Sequence, residues 1–244
     1  MLKNISLKTQ LILFLSFFAI YLAIQQNDFL FLLTLFIAVI SCVGLELIFS
    51  YFKNKKFSFS ESAVISGLII AFVVDSEEPL WVFILIPFLA IISKYLFRIK
   101  GRHVFNPAAF GIFLASVAFG VTTQWRGTYL WYILAPFGIY FIYKIRKLEI
   151  IISYGITALL LFGFSALRQN IPLVHIFGYL SYFFIFIMLI EPKTTPVKFK
   201  GKVIFGSAVA LLIFILTSTG VRFDAELCAL LVLNITVPLL NKIP

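Results

Sequence analysis

The chain has 244 residues, 62% of them hydrophobic and only 12% charged, with 30 phenylalanines and a mean hydropathy of +1.08. A soluble core needs far less apolar surface, so this composition excludes a water-soluble globular protein and indicates an all-α polytopic membrane protein. The formal charge of +10 does not point to nucleic acid, because the cations sit in short stretches between apolar runs, the pattern that sets membrane topology.

Ten apolar segments follow in chain order. The first, 10–26, comes after Lys3 and Lys8. Its flanks resemble a secretory signal, but Gln25, Gln26, Asn27 and Asp28 stand where a small-residue cleavage site belongs, so it reads as a retained span. The others lie at 29–52, 62–74, 79–97, 105–121, 128–143, 148–167, 172–190, 202–219 and 225–240. At 1.5 Å per residue most can cross roughly 30 Å of hydrocarbon. The third is too short, which predicts an element buried in protein or half-spanning.

If successive loops alternate sides, 17 of the 20 cations fall on one side. The other side carries Arg126, Arg168 and Arg222 together with Asp28, Asp75, Glu77, Glu78, Asp224 and Glu226. The bias predicts N- and C-termini that are both cytoplasmic. The chain reads as a single transmembrane domain, 1–244, made of two five-segment pseudo-repeats, roughly 1–123 and 124–244. Because five is odd, the second half is expected to be inverted relative to the first. The third segment then pairs with the eighth and the fifth with the tenth.

Polar groups within or beside the spans are the functional candidates. Glu46 is the only acid well inside a predicted span. It reads either as a carboxylate hydrogen-bonded within the bundle, with Lys53 in reach only by snorkelling, or as an ion or proton site. Asn234 needs a partner in the bundle. His175 reads as structural, and Trp81, Trp125 and Trp131 mark a membrane–water boundary. Cys42 and Cys228 lie in apolar runs and read as small core residues rather than disulfide or metal partners. The two histidines lie at segment edges on opposite sides, which argues against a bis-histidine haem.

Gly101–Gly111, GRHVFNPAAFG, is the most informative stretch. Asn106 is placed as an N-cap and Pro107 as a first helical residue, where its missing N–H costs nothing. His103 lies three residues earlier. A capped helix start beside cations suits an anion or a polar ring system.

Three stretches together resemble the NqrB/RnfD family, membrane subunits of the sodium-translocating NADH:quinone reductase and the Rnf complex. Ser60-Glu61-Ser62-Ala63-Val64-Ile65-Ser66-Gly67-Leu68 resembles the family's GSALLTGLLLA segment. Phe105-Asn106-Pro107-Ala108-Ala109-Phe110-Gly111 resembles its NxFNPAxxG motif. Met188–Pro196, followed by Gly201-Lys202-Val203-Ile204-Phe205-Gly206, is similar to its MATDPVTSP…GKxxFG block. The resemblance covers most of 40–240. It implies ten helices in two inverted five-helix repeats, an architecture shared with urea-transporter-like channels. It also implies a flavin held at the cytoplasmic side by Ser62, Ser66, Gly67, His103, Asn106, Pro107, Glu191 and Thr194. His103 stands where the family often has a second asparagine, and Glu191 where it has an aspartate. The family's sequence for covalent attachment of FMN has no counterpart in Gly120–Thr128, GVTTQWRGT. The expectation is therefore noncovalent riboflavin or FMN, with covalent FMN absent.

The function expected from the resemblance is that of a subunit in a prokaryotic inner-membrane electron-transport complex, coupled to Na+ or H+ translocation. Its partners would be other membrane subunits, the lipid bilayer and a soluble cytoplasmic electron donor, with no nucleic acid. The alternative is a urea-channel-like transporter of a small solute or ion without a redox role.

Overall fold

In the computed structural model, residues 5–99 and 101–244 are described; of the cations assigned to the basic side, Lys3 and Lys100 lie outside them. The chain is a mostly helical polytopic membrane protein. Among the described residues four helices are long and apolar enough to cross a membrane: α1 (Leu7–Gln26), α2 (Phe29–Asn54, qualifying as far as Lys53), α7 (Leu148–Arg168) and α8 (Phe199–Ser218). Shorter apolar helices are α3 (Glu61–Val73), α4 (Val82–Leu96), α5 (Pro107–Phe119) and α9 (Ala225–Leu240). α6 (Trp131–Ile145) and a two-stranded hairpin, β1 (Arg98–Ile99) and β2 (Arg102–His103), complete the named elements.

The chain divides into two compact units. The first runs to Phe97 and includes Pro107–Arg126, so it holds α1 to α5. The second comprises Arg98–Asn106 and Gly127–Pro244, so it holds the hairpin and α6 to α9. The stretch that precedes α5 thus packs as part of the second unit.

In the first unit α3 packs against α1, α2, α4 and α5. Nine of its thirteen residues are buried, including the unbroken run Ser66–Val73. At 1.5 Å per residue it is about 20 Å long and does not span. Its last carbonyls are met by backbone. Arg126 N–H donates to Phe72 O and Gln124 N–H to Val73 O, each at 2.7 Å, and Val74 bridges to Thr123. Close approach needs Gly67: a Cβ there would lie 2.6 Å from Val39 Cα on α2. Pairing of α4 with α5 similarly needs Gly111, whose Cβ would lie 2.6 Å from Ile86 O.

α1 and α2 are started by side chains. Ser6 Oγ accepts from Thr9 N–H, and Asp28 Oδ1 accepts from Phe31 N–H, as good N-caps do. Both helices end in left-handed residues, Asn27 at φ 52° and Lys55 at φ 55°. Buried Arg126 ties this end of the unit. It lies 2.6 Å from Asp28 Oδ2, donates to Ser76 Oγ at 2.6 Å and rests on the Phe31 ring. Burial pushes the Asp28 carboxyl up, but the Phe31 N–H and the Arg126 guanidinium outweigh it and hold the group below the usual carboxylate range.

In the second unit α7 packs on α8 and α8 on α9. A Cβ at Gly206 of α8 would lie 2.3 Å from Ile150 O, so only glycine allows that contact. The eighth segment, read from sequence as one span over 172–190, is broken. Leu173–Tyr179 forms a 3₁₀ helix, Leu180 is extended, and Phe184–Met188 is a π-helical turn. The causes are local. Pro172 and Gly178 punctuate the run, and Ser181 restarts it by accepting from Phe184 N–H at 3.2 Å. A π turn admits the wide Phe186 ring against Gly138 of α6.

Candidate functional site

The second unit joins His103, Asn106 and the Glu191–Pro196 stretch in one polar network. It starts in the hairpin, where Arg98 pairs with His103 and Ile99 with Arg102 around Gly101, whose φ of +81° suits glycine. The hairpin delivers His103 into the interior, where only 6% of it is exposed. Its Nε2 lies 3.2 Å from Glu191 Oε1, so that nitrogen carries the proton when the carboxylate is ionised. Glu191 Oε2 accepts from Thr194 Oγ1 at 3.3 Å, and Glu191 O from Thr195 Oγ1 at 2.7 Å.

Asn106 stands immediately before α5, which begins at Pro107 as the N-cap and first-turn chemistry predicts. Its backbone N–H donates to Asn234 Oδ1 at 3.0 Å. Asn234 Nδ2 donates to Thr194 O, also at 3.0 Å. The carboxamide on α9 therefore bridges the FNPAAF motif and the Glu191–Pro196 motif, across 128 and 40 residues of chain. Asn234, Asn106, Thr194 and Thr195 are all buried.

Below this network lies a buried lysine that the charge pattern alone places in a loop. Lys147 precedes α7 and is 4% exposed. Its Nζ donates to Pro196 O at 2.6 Å and Thr195 O at 3.4 Å. Burial, with repulsion from Lys202 and Arg102, pushes its pKa down to about 8, with Glu149 opposing. Lys202, in the first turns of α8, donates to Glu149 Oε2 at 3.0 Å and Arg146 O at 2.6 Å. Lys147 thus holds the end of the motif loop through its carbonyls, and Lys202 ties the start of α8 to the stretch that leads into α7.

The remaining predicted residues belong to the first unit. Ser62, Ser66 and Gly67 lie on α3 and Pro107 opens α5. Ser66 Oγ donates back to Ser62 O, the hydroxyl habit of a mid-helix serine. Gly67 serves the close α2–α3 contact. Ser62 joins a second polar cluster with Glu46, which is 7% exposed. The partner of Glu46 is not Lys53 but Lys94, on the last turn of α4. Lys94 Nζ lies 2.7 Å from Glu46 Oε1 and 2.9 Å from Ser62 Oγ. Lys53 instead sits over the Tyr95 ring. Ser62 Oγ is 2.7 Å from Ser60 Oγ. Glu46 Oε2 is buried and meets no hydrogen-bond partner among the described residues.

The cations that the sequence does not mark as site residues, Lys94, Lys147 and Arg126, share one disguise: each lies at a segment boundary, where a charge turned to water and one turned inward look alike in sequence. Among the described residues no group of three His, Cys, Asp or Glu side chains is placed to hold a metal ion.

Comparison with known proteins matches both units to one family. The model of the "NQR2, RnfD, RnfE family" covers residues 3–130 and 127–244. The chain is similar to the RnfD component of the ion-translocating oxidoreductase complex of Klebsiella pneumoniae (strain 342), 29% identical over 128 residues, 52% of this chain and 33% of that protein. The corresponding component from Escherichia coli (strain K12) is 28% identical over the same shares, as is that from Escherichia coli O157:H7. The matched region thus spans about a third of these curated relatives' length. With the family's model accounting for nearly all of its length, the chain belongs to the NQR2, RnfD, RnfE family.

Proposed function

We propose that the chain is a membrane subunit of an RnfD-like ion-translocating electron-transport complex of a prokaryotic inner membrane, and that its second unit holds a noncovalent riboflavin or FMN. The observation that carries this reading is the joining of the two motif stretches. His103 meets Glu191, and Asn234 bridges Asn106 and Thr194, with His103, Asn106, Thr194 and Asn234 all buried.

The donor set fits a flavin. An isoalloxazine ring needs donors and acceptors along one polar edge and apolar faces above and below. Imidazole, carboxamide, hydroxyl and carboxylate groups are the right chemistry for that edge. At 3.2 Å, the His103–Glu191 contact is one that a ligand edge would replace, since both groups can bond to it instead. When bound, the flavin supplies electron acceptance and donation in one- or two-electron steps. The chain's own residues bind and orient it, exclude water and set hydrogen bonds at its edge. Lys147 and Lys202 place positive charge beside a ring that gains negative charge on reduction.

In the same proposal the first unit carries the coupling group, Glu46, held by Lys94 with Ser62 and Ser60 leading away from the pair. Partners are other membrane subunits of the complex and a soluble cytoplasmic electron donor. The test is the visible spectrum of the protein purified from cells supplied with flavin. Flavin absorbance that denaturation releases, and that weakens in Asn106→Ala, is the expected result. A colourless preparation overturns it, and flavin that stays with the denatured chain overturns the noncovalent assignment. The alternative, a small-solute or ion channel without redox chemistry, rests on the short α3 and the broken 172–190 segment. Uptake by proteoliposomes of colourless protein with no reductant would replace the redox reading with it.

A further inference from the structure

We propose that the second unit holds one anionic phospholipid, its acyl chain in a groove beside α7 and its phosphate on Arg168. The groove exists because the eighth segment breaks. Where a continuous helix would cover α7, the chain turns as the 3₁₀ helix Leu173–Tyr179 and leaves a cavity of about 570 Å³. Its walls are Leu159, Phe164 and Leu167 from α7 and Leu173, Ile176 and Phe177 from the 3₁₀ helix. Gly163 forms the floor, where an added Cβ would meet only Ile176 Cδ1, at 3.6 Å. From Leu159 to Leu167 the groove follows α7 for about 12 Å, close to the roughly 15 Å depth of one leaflet's hydrocarbon.

Charge selects the occupant. Arg168 is the last residue of α7, at the end of the membrane-spanning helix. Its guanidinium lies 4.7 Å from the centre of the Phe164 ring, a wall of the groove, so the cation stands at the groove's mouth. Among the described residues Arg168 has no carboxylate within ion-pair distance, whereas the buried Arg126 and Lys202 each have one. An uncompensated exposed guanidinium above an apolar trough matches a phosphodiester above an acyl chain. A quinone or a neutral lipid uses the trough and leaves the cation unmatched.

The experiment uses the full chain, purified in mild detergent, exchanged into nanodiscs of equimolar phosphatidylglycerol and phosphatidylcholine and then returned to detergent for native mass spectrometry. One retained phosphatidylglycerol per chain is expected. Arg168→Gln, at an exposed site, lowers the preference for phosphatidylglycerol over phosphatidylcholine about fivefold. Gly163→Leu fills the floor and loses both lipids. Arg222→Gln, another exposed cation of this unit, leaves retention unchanged. Equal retention of the two lipids by the parent chain overturns the proposal. So does a preference that survives Arg168→Gln, or a retained mass matching a quinone. If Gly163→Leu fails to elute as a single species, Leu167→Trp, at an exposed wall position, is the second filling variant and must lose the lipid.

Discussion

The two units face the same problem and solve it with different parts of the chain. Each contains an element too short or too broken to cross a membrane as one helix, α3 in the first and the 172–190 segment in the second, and each must satisfy the carbonyls and amides released there. In the first unit the backbone of 122–126 does this, by reaching Phe72 O and Val73 O. In the second unit side chains serve the break and the loop that follows it: Ser181 Oγ takes Phe184 N–H, Asn234 takes Thr194 O, Lys147 takes Pro196 O, and Asn241 Oδ1 takes Val197 N–H. A backbone solution is indifferent to most substitutions, whereas a side-chain solution depends on single residues. The second unit also brings His103, Asn106, Glu191 and Thr194 together, so its polar apparatus is both more fragile and more specific.

The largest expected effect follows from that contrast. Asn234→Leu keeps the volume roughly but leaves Asn106 N–H and Thr194 O buried and unpaired, at about 1–3 kcal/mol each. The thermal midpoint in detergent should fall well below that of the parent. Gln124→Ala, in the stretch of the first unit that bonds through its backbone, should leave the midpoint nearly unchanged. Equal effects of the two would erase the distinction between the units.

A smaller effect is expected where the first unit does rely on side chains. Lys94→Met leaves the Glu46 carboxylate without its cation, a loss of about 3 kcal/mol at the low end for a buried pair. Glu46→Gln combined with Lys94→Met should recover much of it, since no charge is then left unpaired. Thermal unfolding of the two single variants and the double variant checks this. Additive losses would mean that the 2.7 Å contact carries no coupling energy.

Several of these features are legible in the amino-acid sequence. The thirteen-residue apolar run between Ser60-Glu61 and Asp75 can hardly be anything but a short buried helix, and α3 occupies Glu61–Val73. Asn106-Pro107 announces the start of α5 through fixed chemistry at a fixed position. That Asn234 requires a partner is also plain, because an amide in an apolar helix always does. Its partners are not, because they lie 128 and 40 residues away. Lys94 and Glu46 are 48 residues apart and sit on helices whose rotation no charge count reveals. Pro172, Gly178 and Ser181 carry the signal for the break in the eighth segment, but hydropathy averaged over the whole run conceals it.

The smallest effect tests the side-chain solution through pH. Lys147 is buried, with carbonyl oxygens as its acceptors and two cations near it, and its pKa falls from 10.5 to about 8. The unfolded chain keeps this lysine protonated up to its ordinary pKa, so between the two values it binds more protons than the folded chain. Stability contributed at this site therefore rises with pH across that window and is flat below it. From about pH 7 to about pH 9.5 the gain is about 2 kcal/mol. Lys147→Met cannot titrate, so its stability should lack this rise while sharing every other pH effect. The difference between the two unfolding profiles isolates the site. A difference that stays constant, or that shrinks as pH rises, would mean that the ammonium reaches water and that the Thr195–Pro196 loop is held by something other than a buried cation. The first unit offers the control. Arg126 is tied to Asp28 and Ser76, and Arg126→Met should shift stability by the same amount throughout the window.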